Sequence, residues 1–175
     1  MSGDIIVSSD GVVCLVGAGP VQNGEIVHII QHAAHLVAAD GGADHLLAAG
    51  LTPDAVIGDL DSLSAAARAT FAHVLHHIAE QESTDFEKAL TRIDAPGILA
   101  VGFTGGRMDH TLAVLNAMAR WRTRRVFLLG LDDVSFLAVE PLTRLSLPLE
   151  TRISLMPLDQ VTVDTAGLYW PVSDA

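Results

Sequence analysis

The sequence predicts an α/β protein built on a doubly wound, mostly parallel sheet (Rossmann-like), followed by a small β-rich, sandwich-like C-terminal unit. Three observations carry that expectation. Short β-branched apolar runs alternate with alanine- and leucine-rich segments of helical period. Several of those runs are apolar on both faces, as strands covered by helices on either side must be. Near Leu131 the alternation stops, and strand-like runs then follow one another without helices between them.

Taken in order, "VVCLVG" (12–17), "HLVAAD" (35–40), "AVIGD" (55–59), "HVLHHIA" (73–79), "ILAVGF" (98–103) and "RVFLLG" (125–130) read as the strands. The helices between them are "VQNGEIVHIIQHA", "GADHLLAAG", "SAAARATFAHV", "TDFEKALTRIDA" and "MDHTLAVLNAMARW". "VSFLAVE", "LTRLSLP", "ETRISLMPL" and "VTVDTAG", separated by proline, acid or glycine, form the expected antiparallel unit. The expected boundaries are 1–130 for a nucleotide-binding catalytic domain and 131–175 for the β-rich unit.

Composition narrows the function. The 175 residues are 50% hydrophobic with mean hydropathy +0.40, enough for one good core. Twenty-one acids against ten basic residues leave a formal charge of -11, which argues against nucleic acid or an anionic membrane as partner. A phosphorylated ligand then needs a metal or local basic groups. The one cysteine, Cys14, lies in an apolar run, which fits packing in a reducing cytoplasm. "MSGDIIVSSD" lacks the order of a signal peptide, so no targeting and a cytoplasmic location are expected. His28, His32 and His35 follow near-helical spacing that could mimic a metal face, but His73, His76 and His77 lie on a strand-like stretch without cysteine or a matching acid pattern, and no zinc site is expected. Arg120, Arg122, Arg124 and Arg125 read as a solvated face at a helix end.

In a doubly wound sheet ligands bind beyond the carboxyl ends of the strands. Here those ends are "GAGP" (17–20), "DGGAD" (40–44), "GDLDS" (58–62), "QESTD" (81–85) and "TGGRMDH" (104–110), and nearly every one brings an aspartate. Asp59 and Asp61, two apart in an extended segment, project to one side and suit one hard cation of the Mg²⁺ type. The competing reading makes Asp61 or Ser62 a helix cap and leaves Asp59 solvated. Thr84 and Glu87 form a capping box, and Asp85 is an acid in a first helical turn. Gly105 and Gly106 let backbone N–H groups approach an anion at a helix start, and Arg107 adds a planar cation suited to phosphate. Neither a P-loop nor a G-x-G-x-x-G fingerprint is present.

"ADGGADHLLAAGLTPDAVIGDLDSL", "QESTDFEKAL" and "GGRMDHTLAVLN", followed by "RISLMPL" and "AGLYWP", resemble the thiamine pyrophosphokinase family, in the family's order over essentially the whole chain. The resemblance implies transfer of a diphosphate group from ATP to the hydroxyl of thiamine, giving thiamine diphosphate and AMP with Mg²⁺, in a homodimer with a shared active site. It implies Asp59, Asp61 and Asp85 as magnesium-binding acids and Asp40 as a further active-site acid. Gln81 and Thr84 fall near the substrates; Gly41, Gly42, Gly105, Gly106, Arg107, Asp109 and His110 fall on the nucleotide side; Trp170 is an aromatic wall for the thiamine ring. Two departures stand out. "DGGADH" has Asp44 and His45 where the family commonly has Asn and Arg, and the family pattern continues beyond "GLYWP" whereas this sequence stops at "VSDA", so that either the end is missing from this sequence or the member is shortened, with an incomplete acceptor pocket. Another ATP-dependent diphosphokinase with a pterin-like acceptor, or a catalytically silent nucleotide-binding protein, are the alternatives on the same scaffold.

Overall fold

A strand covered by helices on both faces must be apolar throughout, and β2 and β4 below are buried along their whole length. The computed structural model describes residues 4–22, 24–138 and 141–173. Its elements run β1 (Val7–Ser8), β2 (Val13–Val16), α1 (Glu25–Ile30), β3 (His35–Ala39), α2 (Gly42–Ala48), β4 (Ala55–Gly58), α3 (Ala65–Thr70), β5 (Leu75–His77), α4 (Asp85–Leu90), β6 (Ile93–Asp94), β7 (Ile98–Val101), α5 (Met108–Arg120), β8 (Val126–Leu129) and β9 (Val134–Phe136). Among the described residues the main sheet has the order β5-β4-β3-β2-β7-β8-β9, parallel except for β9, and β1 pairs with β6 in a separate short ribbon. The chain runs outward from β2 through β3 and β4 to β5, then returns to the other side of β2 with β7. This is the doubly wound pattern, with its switch between β2 and β7.

Alternate residues of each strand feed two cores. Val13, Leu15, Val37, Ile57, Ile98 and Leu128 meet Phe86 and Leu90 of α4 and Val114 and Met118 of α5 on one face. Cys14, Val16, Leu36, Ala38 and Val56 meet Ile26, Ile29, Leu46 and Ala67 of α1, α2 and α3 on the other. Each large apolar side chain so buried contributes roughly 1.5–3 kcal/mol against the entropy of ordering the chain. Local signals set the helix starts. Ser64 Oγ accepts the Ala67 N–H at 3.1 Å to begin α3, and Thr84 Oγ1 accepts the Glu87 N–H at 3.3 Å to begin α4. Only that half of the expected capping box forms. The Glu87 carboxylate instead accepts Trp121 Nε1–H at 2.9 Å and pairs with Arg120. Arg120 is thus engaged with α4, and Arg124 pairs with Asp94 at 2.9 Å, so this end of α5 is more than a solvated face.

All six strands expected in the α/β part are present, and the sequence boundary near Leu131 shifts outward. Gly130 N donates to Asp133 O at 2.9 Å, closing a tight turn that folds Val134–Phe136 back as an antiparallel edge strand with Phe127 opposite Phe136. The first unit accordingly spans Met1–Val139 and the second Glu140–Ala175. The expected β-rich sandwich is not seen: residues 141–173 contain no strand. Pro148 and Pro157 interrupt its apolar runs and remove ladder donors, and its backbone closes locally, with Thr165 N donating to Val172 O at 2.8 Å around Gly167. Among the described residues no helix is long and apolar enough to cross a membrane.

Cys14 sits inside β2 with no exposed surface, and burial pushes its thiol up to about 12. The thiolate is the reactive form, so an aromatic disulfide reagent at pH 8 should leave Cys14 of the native protein unlabelled while labelling the chain fully in denaturant. Fast labelling without denaturant would contradict this packing.

Candidate active site

The carboxyl ends of β2, β3, β4 and β7 lie at one edge of the parallel sheet, and the acids gather there. Asp40 follows β3, Asp59 and Asp61 follow β4, and Asp85 opens α4. One ligand atom from each of Asp40, Asp59 and Asp61 lies within 4.8 Å of the others. Asp40 is 2% exposed and Asp61 is open to solvent, so the group has a closed inner end and an accessible mouth.

The convergence of Asp59 and Asp61 has a different cause from the one the spacing suggests. The strand ends at Gly58, and Leu60 adopts the left-handed region (φ 66°), so the segment turns rather than extends. Leu60 buries its side chain in the core and its carbonyl accepts from Arg68 Nη2, which fixes the turn and lets the flanking carboxylates meet. Asp40 is left-handed as well (φ 42°), a conformation that Asp and Asn tolerate better than most residues. Its backbone continues the sheet through Ile57 O and starts α2 by accepting from Ala43 N. Two glycines make room. A Cβ at Gly58 would lie 2.8 Å from Asp40 Cβ and 3.0 Å from Asp85 Oδ1, and one at Gly42 would strike Val16 O at 2.0 Å, so α2 closes on β2 only with glycine there.

The electrostatics are uneven. Burial, then the charge of Asp85, pushes the Asp40 carboxyl above its ordinary value despite the Ser62 N–H donated to Oδ2 at 3.2 Å. Its Oδ1 is buried with no hydrogen-bond partner. Asp59 is held below the ordinary range, first by its hydrogen bond from Lys88. Lys88 Nζ stands 2.8 Å from Asp59 Oδ2 and 3.1 Å from Asp85 Oδ1, its side chain 1% exposed. Burial opposes the charge of Lys88, but its hydrogen bonds to Asp59 and Asp85 and their attraction outweigh that cost and raise its value. Removing one partner of such a buried pair typically costs about 3–5 kcal/mol.

Three carboxylates grouped this closely, one of them carrying an orphaned buried oxygen, suit a hard divalent cation that keeps room for water or phosphate oxygens. Asp85, expected as a ligand with Asp59 and Asp61, has its Oδ1 engaged with Lys88, while Asp40 joins the pair instead. Gln81 Nε2 donates to Asp59 Oδ2 at 3.1 Å, and Thr84 is used as the α4 cap. Gly41 and Gly42 begin α2; Gly105 lies in the turn before α5 (φ 79°), with Gly106 following it. Arg107 precedes α5 and is paired with Asp109, both exposed, with His110 also exposed beside them. Trp170, 81% exposed, packs edge-on against Tyr169 in the second unit.

Sequence reasoning missed Lys88, although "TDFEKAL" places it three residues after Asp85, where helical side chains meet. It also missed what the two unusual residues of "DGGADH" do. Asp44 accepts from Ser64 N at 3.1 Å and from its hydroxyl, fastening the start of α3, and His45 Nε2 lies 2.9 Å from Gly19 O. Both tie the site loops together.

A doubly wound sheet with carboxylates gathered at its strand ends defines an α/β protein whose acidic cluster lies where such folds take their ligands. The family described as "Thiamin pyrophosphokinase, catalytic domain" matches residues 26–128, and the chain belongs to that family. Thiamine pyrophosphokinase 1 of Oryza sativa subsp. japonica is 28% identical over 138 residues, covering 67% of this chain and 52% of the rice protein. The chain therefore spans about half the length of that relative. The thiamin pyrophosphokinase of Geobacillus thermodenitrificans superposes with TM-score 0.57 at 28% identity, covering 67% of this chain and 59% of that one. The Candida albicans protein shares the fold with TM-score 0.57 at 18% identity, over 73% and 62% of the two chains.

Because burial and repulsion penalise the ionised Asp40, Asp40→Asn should stabilise the metal-free protein at pH 7 by about 1 kcal/mol, or roughly 2–4 °C in melting temperature. Asn tolerates the backbone conformation and brings no charge into the buried position. A raised carboxyl loses stability as pH climbs from the unfolded to the folded value, so the gain should shrink as pH falls toward about 4. Melting curves at pH 7 and pH 4.5 with chelator check it; a lower melting temperature for the variant at pH 7 would show that the Asp40 charge is needed by the fold.

Proposed function

We propose that the chain is a thiamine diphosphokinase, transferring the diphosphate of ATP to thiamine with Mg²⁺ and releasing AMP. One observation carries this reading: Asp40, Asp59 and Asp61 converge to within 4.8 Å at the strand ends of a domain whose family is thiamin pyrophosphokinase. In the reaction the thiamine hydroxyl oxygen bonds to the β-phosphorus of ATP, and the bond from that phosphorus to the oxygen bridging to the α-phosphorus breaks. AMP leaves, and the hydroxyl proton passes to a carboxylate of this edge, Asp85 or Asp61. Asp40, Asp59 and Asp61 hold the cation, with Gln81 orienting Asp59. Bound Mg²⁺ neutralises charge on the phosphate oxygens. Gly105, Gly106 and Arg107, with Asp109 and His110 beside them, receive the nucleotide phosphates at the start of α5. No covalent nucleophile is needed, since positioning and charge compensation suffice for this class of transfer. Trp170 stacks on the thiamine ring, and the working form is a cytoplasmic homodimer; the exposed Tyr169 and Trp170 support such a contact.

Incubation with ATP, Mg²⁺ and thiamine should give AMP and thiamine diphosphate in equal amounts. Asp59→Asn or Asp61→Asn should lower the rate at least ~100-fold in a folded protein, because charge compensation on transferring phosphoryl groups is worth several kcal/mol. Product from a pterin but not from thiamine would reassign the acceptor, and full activity in both variants would remove the metal site.

Arg107 gives a second check. Freed from Asp109 by an incoming phosphate, its guanidinium makes charge-assisted bonds of about 1.5–3 kcal/mol, so Arg107→Ala should raise the KM for ATP roughly ten-fold or more and leave that for thiamine nearly unchanged. An equal rise for both substrates would mean that Arg107 serves the loop rather than the nucleotide.

A further inference from the structure

A lysine is almost never buried so deeply without an answering charge, and Lys88 is answered twice. Its helix is firmly set. Phe86 and Leu90 anchor α4 in the core, Thr84 caps it, and the Lys88 carbonyl accepts from Arg92 Nη1 at 2.9 Å. The ammonium thus stands at a fixed place between Asp59 and Asp85. Asp59 is the carboxylate common to that place and to the three-acid group beside Asp40 and Asp61. Its Oδ2 already accepts from Lys88 at 2.8 Å and Gln81 at 3.1 Å, which leaves Oδ1, with a single long contact from Asp61 N at 3.4 Å, facing further ligation.

Many phosphoryl-transfer sites hold two cations about 3.5–4 Å apart. The acids here are numerous enough for two, since Asp40, Asp59, Asp61 and Asp85 all meet at this edge. We propose that Lys88 is a positioning residue that stands as a fixed monovalent cation where a second metal ion would bridge Asp59 and Asp85, so that the pocket takes one divalent cation per chain and Asp59 presents Oδ1 to it. The inference rests on the metal reading given for Asp40, Asp59 and Asp61, and not on which acceptor is phosphorylated. It differs in sign from a purely structural pair. Loss of a structural pair loosens the acids and weakens metal binding, whereas removal of a resident positive charge from among four acids strengthens it.

The test uses Mn²⁺ alone, without nucleotide or thiamine, with free Mn²⁺ followed by electron paramagnetic resonance. The wild-type chain should bind one Mn²⁺ tightly; two tight sites in the wild type overturn the proposal. Lys88→Met keeps the length and apolar stem, and thermal melting reports whether it folds. The folded variant should bind a second Mn²⁺, or its first at least about ten-fold more tightly, as expected for one charge removed at this range. Unchanged or weaker binding by folded Lys88→Met overturns the proposal. If the variant does not fold, the wild-type stoichiometry decides alone. Binding of one Mn²⁺ by a chain that does not phosphorylate thiamine would refute the proposed reaction and leave this inference standing. No Mn²⁺ on either protein would sink the metal reading and this inference with it.

Discussion

Three aspartates at the ends of two neighbouring strands and a fourth at the start of α4 repel one another, and the rest of the site depends on how that repulsion is offset. Lys88 supplies the compensation from below, a buried ammonium shared between Asp59 and Asp85. The offset is incomplete. Asp40 remains inside, with one oxygen unpartnered and its carboxyl raised by burial and by the charge of Asp85. A protein that spends stability on an uncompensated inward-facing acid is poised for a ligand that brings positive charge, and perturbed carboxylates of this kind concentrate at functional sites.

The sheet supplies the rigidity this arrangement needs. β3 and β4 are neighbours in parallel register, so Asp40 emerges beside Gly58 and Asp59 follows one residue further on. Two residues in the left-handed region, Asp40 and Leu60, turn the chain sharply at each strand end, and local strain of this sort costs of order 1–3 kcal/mol each. Burial of Leu60 and the ties of Asp40 to Ile57, Ala43 and Ser62 hold the strain in place. Asp44 and His45 extend the same framework, one to the start of α3 and the other to the loop after β2. They serve the geometry of the loops.

The antiparallel turn at Gly130 to Asp133 shows how a single tight turn moves a domain boundary. Strand β9 has too little apolar surface to stand alone, and pairing with β8 covers the ladder of an otherwise bare edge strand. Residues 141–173 have similar apolar alternation but form no strand, and many of their large side chains, Leu149 and Trp170 among them, remain exposed. Alternation states that a segment suits a sheet and does not supply the partner strand.

By itself the sequence determined the six parallel strands, the helices between them and the edge at which the acids would collect, because hydrophobic period and chain order act locally and the carboxyl end of a parallel strand is a fixed place. It also determined the cap at Thr84, which needs only a neighbour three residues away, whereas α3 is capped by Ser64 and not by Asp61 or Ser62, the caps that the competing reading of that stretch offered. Only the tertiary structure decided which acids meet. Asp40 replaced Asp85 in the three-oxygen group because α4 packs with Lys88 beneath β4, a contact 29 residues distant in sequence that no local pattern encodes. It decided as well that Asp59 and Asp61 converge through a left-handed Leu60 instead of an extended strand, since a buried leucine and the Arg68 contact to its carbonyl outweighed the backbone's own preference.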